Sequence, residues 1–270
     1  VVPLLTDLSA VSKPRWHDCS ETRQLERFLS QINQYPMITT VSDFTRGEIA
    51  NLAGIDPRRI AVIPPGVDAL FYAAPRAEDE FELQAIGLLP RQFFLYVGLV
   101  DEQANLSTLL QAYAALPERV KAWLPFVLAG GRGRGAMGVP HSAQHDLDCG
   151  NIRFLGRVPQ FLLRLLYCHA RLTLFPSTNG GFGLALAEAL ACGAPVAVSR
   201  GSALADMAGP LALQVEAENV LQWRDILSDQ VDRGAHAPGV VHGTMFSWDR
   251  AAEQAMQVYE HIAGERRAAA

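Results

Sequence analysis

From residue 93 to residue 215 the chain alternates short apolar runs with segments of helical length, a pattern few folds accept. Phe93–Gly98, Phe126–Ala129, Ile152–Leu155, Leu172–Phe175, Pro195–Ser199 and Leu211–Val215 are short, bounded runs without polar alternation, as expected of strands buried on both faces. Between them, Asn105–Leu116 places Leu106, Leu109, Leu110 and Tyr113 on one helical face, and Phe161–Cys168 and Leu184–Cys192 are similarly apolar. Strands separated by helices make βαβ units. The expected fold class is therefore α/β, a doubly wound, Rossmann-like parallel sheet covered on both sides.

The remaining sequence supports this frame and narrows the chemistry. With 270 residues, 49% hydrophobic and 19% charged, the chain can bury a full core and reads as soluble and globular. A net charge of −5 gives no broad positive field, so nucleic acid is not expected as a partner. The four cysteines, Cys19, Cys149, Cys168 and Cys192, form no CxxC pair, which suits a reducing, cytoplasmic compartment rather than a disulfide framework. No apolar run approaches the about 18 residues of a membrane span. Residue 1 is Val, and Val1–Leu5 looks like an interior strand, so the sequence reads as a piece of a longer chain.

The first 70 residues form a different unit. Leu25, Phe28, Leu29 and Ile32 make a helical stripe on a segment starting near Ser20, Met37–Val41 is a predicted strand, Ser42 a helix N-cap and Gly54 a helix stop. Ile60–Ile63 is the next strand. A last helix is predicted over Phe246–Ala263, with Trp248, Ala252, Ala255, Met256, Tyr259 and Ile262 on its apolar side.

Several motifs together resemble the family-4 type retaining glycosyltransferases of the GT-B fold. Phe175 to Pro195 resembles the family's Glu-x7-Glu segment, in which an acid precedes Gly-Phe-Gly and a second acid follows on the next helix. Thr40–Arg46, Tyr96–Leu106, Leu128–Gly131, Arg153–Gly156 and Ala191–Pro195 also stand where the family has its conserved blocks, and Pro64–Asp68 resembles its interdomain linker. The resemblance implies a remnant of the N-terminal domain over 1–63, a Rossmann-like nucleotide-sugar-binding domain over 64–245, and a C-terminal helix over 246–270 that crosses back to the N-terminal part. It implies a nucleoside-diphosphate sugar as ligand, with no cofactor and no metal.

Each donor-site position has a physical task. Gly181, Phe182 and Gly183 would form the turn that offers backbone N–H groups to a diphosphate, flanked by Asn179, with Gly98 in the facing Tyr-Val-Gly turn. Glu188 would accept hydrogen bonds from the ribose hydroxyls. The resemblance also exposes losses: the family's phosphate-binding arginine falls on Leu99, its lysine on Ala104, its first acid on Gly180, and the histidine of its His-Asp-Leu strand end on Thr6, while Asp7 remains. Losing two charged hydrogen-bond donors at about 1.5–3 kcal/mol each removes about 3–6 kcal/mol, on the order of 10²–10⁴ in diphosphate affinity.

Arg132 and Arg134 in the glycine-rich Gly130–Gly135 loop, with Arg157 and Arg200 near other strand ends, are the candidate replacement cations. The spacing of His141, His145 and Cys149 would align metal ligands on a helix, but the flanking Gly138-Val-Pro140 and Cys149-Gly150 read as a surface connection. Cys192 reads as a buried small apolar residue. Trp16, Trp123, Trp223 and Trp248 read as packing residues. Two functions stay open. One is a pseudo-glycosyltransferase that has lost transfer and acts as an interaction or regulatory partner of an active enzyme or sister glycosyltransferase domain. The other is an active transferase of polysaccharide or glycan biosynthesis with an altered donor site, cytoplasmic or membrane-peripheral.

Overall fold

The computed structural model describes residues 1–72, 76, 78–100, 103–133, 139–178, 181–232 and 246–268. The chain forms two compact units. One comprises Val1–Val67, Asn179–Leu184 and Thr244–Ala270, the other Asp68–Thr178 and Ala185–Gly243.

The smaller unit is built on a parallel three-stranded sheet of β1 (Leu4–Leu5), β2 (Ile38–Thr40) and β3 (Ile60–Val62), in that spatial order. Its helices are α1 (Ser9–Ser12), α2 (Cys19–Ser30), α3 (Asp43–Ala53) and α12 (Trp248–Ala268). Leu25, Phe28 and Leu29 of α2 lie as expected against a core of Leu5, Leu8, Ile38, Ile49 and Ile60, and Ile32 joins that core from a 3-10 turn, Ile32–Gln34, past the end of the helix rather than from its stripe. Ser42 caps α3 by accepting the Thr45 N–H at 3.1 Å, and Gly54 ends that helix at φ 64°, a conformation that costs glycine little.

The apolar face expected on α12 is corrected. Trp248, Ala252, Met256 and Tyr259 are exposed, whereas Ala255 and Ile262 turn inward as expected, joined by Ala251 and Val258. In an alanine-rich helix both sets satisfy helical spacing, and moving the stripe by one position rotates the buried face by about 100°. Trp248 is also too close to the chain for any side chain at Gly66, whose added Cβ would lie 2.3 Å from the Trp248 nitrogen.

The larger unit carries a parallel six-stranded sheet of β4 (Phe94–Val97), β5 (Phe126–Ala129), β6 (Ile152–Gly156), β7 (Leu172–Phe175), β8 (Val196–Ser199) and β9 (Ala212–Val215), each within a residue or two of its predicted run. The spatial order is β6-β5-β4-β7-β8-β9. Helices α4 (Asp79–Ala85), α5 (Leu106–Ala114), α6 (Glu118–Lys121), α7 (His141–Asp148), α8 (Gln160–His169), α9 (Leu184–Ala191), α10 (Ala203–Ala208) and α11 (Val220–Asp232) complete it. One face of the sheet is covered by α5 and α11, where Leu109, Tyr113, Phe94, Phe126 and the fully buried Trp223 share a core. Of the four tryptophans, Trp223 alone is fully buried: Trp248 is exposed, Trp123 is 40% exposed under the Arg171 guanidinium, and Trp16 lies beneath Arg15 and Lys13. The segment expected to be a surface connection is helical, because Asp146 of α7 is buried in an ion pair with Lys121 at 2.8 Å.

Candidate functional site

The strand order places the site. The chain leaves β4 toward β5 and β6 on one side and then returns to β7, β8 and β9 on the other, so the order reverses between β4 and β7. In open parallel sheets the crevice at the carboxyl ends of such a pair is where ligands bind. Here it is bounded by the segments that follow β4 and β7.

Asn105 ties these segments together. It sits at φ 50°, in the left-handed region that asparagine tolerates, and its Nδ2 donates to the Pro176 carbonyl at 3.1 Å and to the Ala217 carbonyl at 2.7 Å. Its Oδ1 accepts from the Thr108 hydroxyl at 2.7 Å. Ser199 Oγ donates to the same Pro176 carbonyl at 2.6 Å, and Ser177 Oγ to the Gln103 carbonyl at 3.4 Å. One amide thus clasps the ends of β7 and β9 to the start of α5. Because both carbonyls keep a second donor, Asn105→Ala is expected to cost about 1.5–4.5 kcal/mol, three hydrogen bonds at about 0.5–1.5 each, read as a lowered Tm. Asn105→Gly, which keeps the backbone freedom, separates the amide's share from that of the backbone.

Around this clasp the expected cations are missing. Leu99, at the end of β4, is 51% exposed, and its carbonyl accepts the Tyr96 hydroxyl at 2.6 Å. Ala104 is only 7% exposed in the turn before α5. Gly98 sits so close to the facing chain that a Cβ added to Gly130 would fall 1.8 Å from the Gly98 carbonyl oxygen. Beyond this contact Val100 pairs with Arg132 as a parallel bridge, which brings the exposed Arg132 next to the Leu99 segment. Arg157, also exposed, lies over Gly131, where an added Cβ would be 3.0 Å from its Nε. Arg200 is different, since it is paired with Glu216 at 2.8 Å. Arg134, Asn179 and Gly180 lie outside the described residues.

Glu188 stands in the second turn of α9, half-buried. Its Oε2 accepts the hydroxyl of Tyr167, a fully buried residue of α8, at 3.2 Å. Burial pushes the Glu188 carboxyl up, the Tyr167 hydrogen bond pulls it down and Asp68 pushes it up again, leaving it above the usual glutamate range. Tyr167 is itself raised well above its ordinary value, by burial first and by Glu188 second, so it stays protonated and serves Glu188 as a donor. Sequence reasoning missed Tyr167; its only signal was a polar tip in the apolar stretch Phe161–Cys168.

The sign of the Glu188 shift has two effects. A carboxyl whose folded value is raised favours the fold below its unfolded value and loses that contribution as pH rises through the folded one. At pH 7.5 the ionised Glu188 therefore weighs against stability. Glu188→Gln is expected to raise Tm at pH 7.5 and leave it unchanged at pH 4, as a melting series in both buffers would show.

In the smaller unit, Gly181, Phe182 and Gly183 form the turn before α9. The Gly181 carbonyl accepts from Ser42 Oγ at 2.7 Å and Thr45 Oγ1 at 3.3 Å, and an added Cβ on Gly181 would lie 1.4 Å from the Thr6 carbonyl oxygen. Gly183 has φ 78°. The Phe182 ring meets Phe246 edge-on at 5.6 Å. Thr6 contributes its backbone there, while the Asp7 carboxylate accepts from Ser9 N at 2.7 Å and Ser9 Oγ at 2.9 Å.

Among the described residues no group of three or more metal-ligating side chains occurs, and His145 and Cys149 lie exposed on α7 or at its end. Among the same residues no helix is long and apolar enough to cross a membrane.

Comparison with known proteins matches this architecture. Residues 79–225 fit the model of Glycosyl transferases group 1, and residues 9–69 that of Glycosyltransferase Family 4. The chain is 30% identical over 260 residues to O-antigen chain mannosyltransferase B of Escherichia coli, covering 94% of this chain and 68% of that protein. It is 32% identical over 243 residues to the D-inositol 3-phosphate glycosyltransferase of Actinosynnema mirum, covering 81% of this chain and 55% of that protein. The chain thus spans about half the length of that second relative. Similar solved structures include sucrose-phosphate synthase from Thermosynechococcus elongatus, with a TM-score of 0.76, 20% identity, and coverage of 97% of this chain and 67% of that one. Anabaena HepE in complex with UDP and glucose has a TM-score of 0.75 and 17% identity, with coverage of 97% and 71%. At these identities the solved structures speak for the fold alone.

Proposed function

Because the chain belongs to the family-4, group 1 glycosyl transferases, we propose that it keeps the nucleoside-binding half of a nucleoside-diphosphate-hexose site and has lost the grip on the diphosphate. In this reading Glu188, held by Tyr167, accepts the ribose hydroxyls, and Gly98 lines the path of the phosphates. The observation that carries it is the pair Leu99 and Ala104, an exposed hydrocarbon and a buried methyl where the resemblance implies an arginine and a lysine. Those cations would neutralise the departing nucleoside diphosphate, so transfer is impaired without them. The chain then acts as an interaction or regulatory partner of an active glycosyltransferase.

A second reading, an active transferase with an altered donor site, is favoured by Arg132 and Arg157. Both guanidinium groups are exposed near the ends of β5 and β6, and neither forms an ion pair among the described residues. The mannosyltransferase relative makes mannose the first sugar to test.

Calorimetric titration of guanosine, GDP and GDP-mannose separates the two readings, with the uridine and adenosine series run alongside. If the diphosphate grip is lost, a nucleoside and its diphosphate bind within a few-fold of each other, and Glu188→Ala weakens both by about 10–150-fold, the worth of a hydrogen bond to a charged group. A diphosphate that binds a hundredfold tighter than its nucleoside, with that gain lost in Arg132→Ala or Arg157→Ala, would establish the second reading instead.

A further inference from the structure

Behind Glu188 lies a pair of thiols for which neither reading above has a use. Cys168 is in the last turn of α8, directly after Tyr167, and Cys192 follows the end of α9, where its N–H donates to the Glu188 carbonyl at 3.0 Å. Cys168 is buried. Cys192 is half-buried, which corrects the fully buried position expected for it. Cys168 Sγ lies 4.0 Å from the Cys192 carbonyl oxygen and 3.9 Å from Nη1 of the buried Arg164. Cys19 and Cys149 are exposed and take no part.

We propose that Cys168 and Cys192 are a redox-responsive dithiol, which a hydroperoxide converts to a disulfide that ties the end of α8 to the end of α9. The neighbours assign the order of attack. The neighbouring Cys192 thiol and the Arg164 guanidinium favour the thiolate at Cys168, against the cost of burial, whereas the Cys168 thiol and burial keep Cys192 protonated. The Cys168 thiolate attacks one peroxide oxygen, the O–O bond breaks, and the departing oxygen takes a proton and leaves as water or an alcohol. This makes a sulfenic acid at Cys168. The Cys192 sulfur then displaces the sulfenic hydroxyl, which leaves as water with the Cys192 proton, and the S–S bond forms. Two thiols are oxidised by two electrons, and the peroxide is reduced by two.

The bond would form beside the Tyr167–Glu188 contact, since Cys168 is next in sequence to Tyr167 and Cys192 is one turn beyond Glu188. Its effect on nucleotide binding rests on Glu188 as the ribose ligand; the cross-link itself does not. The two are therefore read separately. In a Cys19→Ser, Cys149→Ser background, the folded chain is treated with hydrogen peroxide, blocked with iodoacetamide, digested and mapped by mass spectrometry. A peptide joining Cys168 to Cys192, absent after dithiothreitol treatment, is expected. In Cys192→Ser, dimedone is expected to trap a sulfenic acid at Cys168. Alkylation of both cysteines after peroxide treatment, or oxidation of each without a joined peptide, would overturn the proposal. Dimedone trapped at Cys192 in Cys168→Ser, with none at Cys168 in Cys192→Ser, would overturn the order of attack and with it the role of Arg164. Guanosine affinity is measured before and after oxidation as the separate readout, where a loss of fivefold or more, reversed by dithiothreitol, is expected.

Discussion

GDP, or whichever nucleoside diphosphate the chain prefers, is expected to bind the Leu99→Arg, Ala104→Lys variant about 10²–10⁴-fold more tightly than the unmodified chain. The estimate takes two charged donors at about 1.5–3 kcal/mol each. The two positions do not carry equal cost. Leu99 is half-exposed, and a surface substitution there is expected to change stability by no more than about 0.5 kcal/mol. Ala104 is buried, and adding three carbons and an ammonium group to a packed site costs about 1–3 kcal/mol unless the side chain finds a way out. Leu99→Arg is therefore made first and alone, with an expected gain of one to two orders of magnitude for the diphosphate and none for the nucleoside. An equal gain for both ligands, or none for either, would show that the phosphates do not pass over residue 99.

The largest expected effect on stability lies elsewhere, at Asp79. Its carboxylate, buried at the start of α4, accepts from Arg164 Nη2 at 2.8 and 3.0 Å, from the Arg76 N–H at 2.9 Å, and lies 3.4 Å from His169 Nε2. Removing one member of a buried ion pair costs about 3–5 kcal/mol, because the remaining charge keeps its desolvation penalty, and Asp79→Ala is expected to fall in that range. Burial pushes the Asp79 carboxyl up, but the hydrogen bonds from Arg76 and His169 and the Arg164 guanidinium outweigh it and hold the carboxyl below the usual aspartate range. A carboxyl lowered by folding adds stability above its unfolded value and loses it as pH falls through the folded one. Denaturant melts of the unmodified chain should therefore show stability falling below about pH 4, the ordinary range of an aspartate, and Asp79→Asn should flatten that fall. A pH profile unchanged in Asp79→Asn would mean that the pair does not support the fold.

What could be read in the sequence follows what each feature depends on. The six strands of the larger sheet were legible because a strand covered on both faces must be apolar throughout, and Phe126–Ala129 or Leu172–Phe175 offer no other use for such a run. Leu99 and Ala104 were legible as positions but not in their surroundings: exposure of one and burial of the other is set by how the turn after β4 folds back. Asn105 was visible only as part of a motif, since nothing local says that its amide reaches across to Pro176 and Ala217. Tyr167 and Glu188 lie in different helices, separated by β7 and the turn that follows it, and their contact depends on how α8 and α9 lie against each other. The apolar side of α12 was misplaced because its alanines fit either stripe, and only the tertiary partner decides between them.

The clasp at Asn105 also bears on what a ligand would encounter. The segments beside the β4–β7 crevice are already fixed to one another by side-chain hydrogen bonds, so a nucleotide would have few of them left to immobilise, at about 0.5–1.5 kcal/mol per ordered side chain. A preorganised crevice spends little of its contact energy on conformational order. What separates strong from weak binding is then the chemistry of a few side chains at its lip, and affinity can be gained or lost by single substitutions while the scaffold stays as it is.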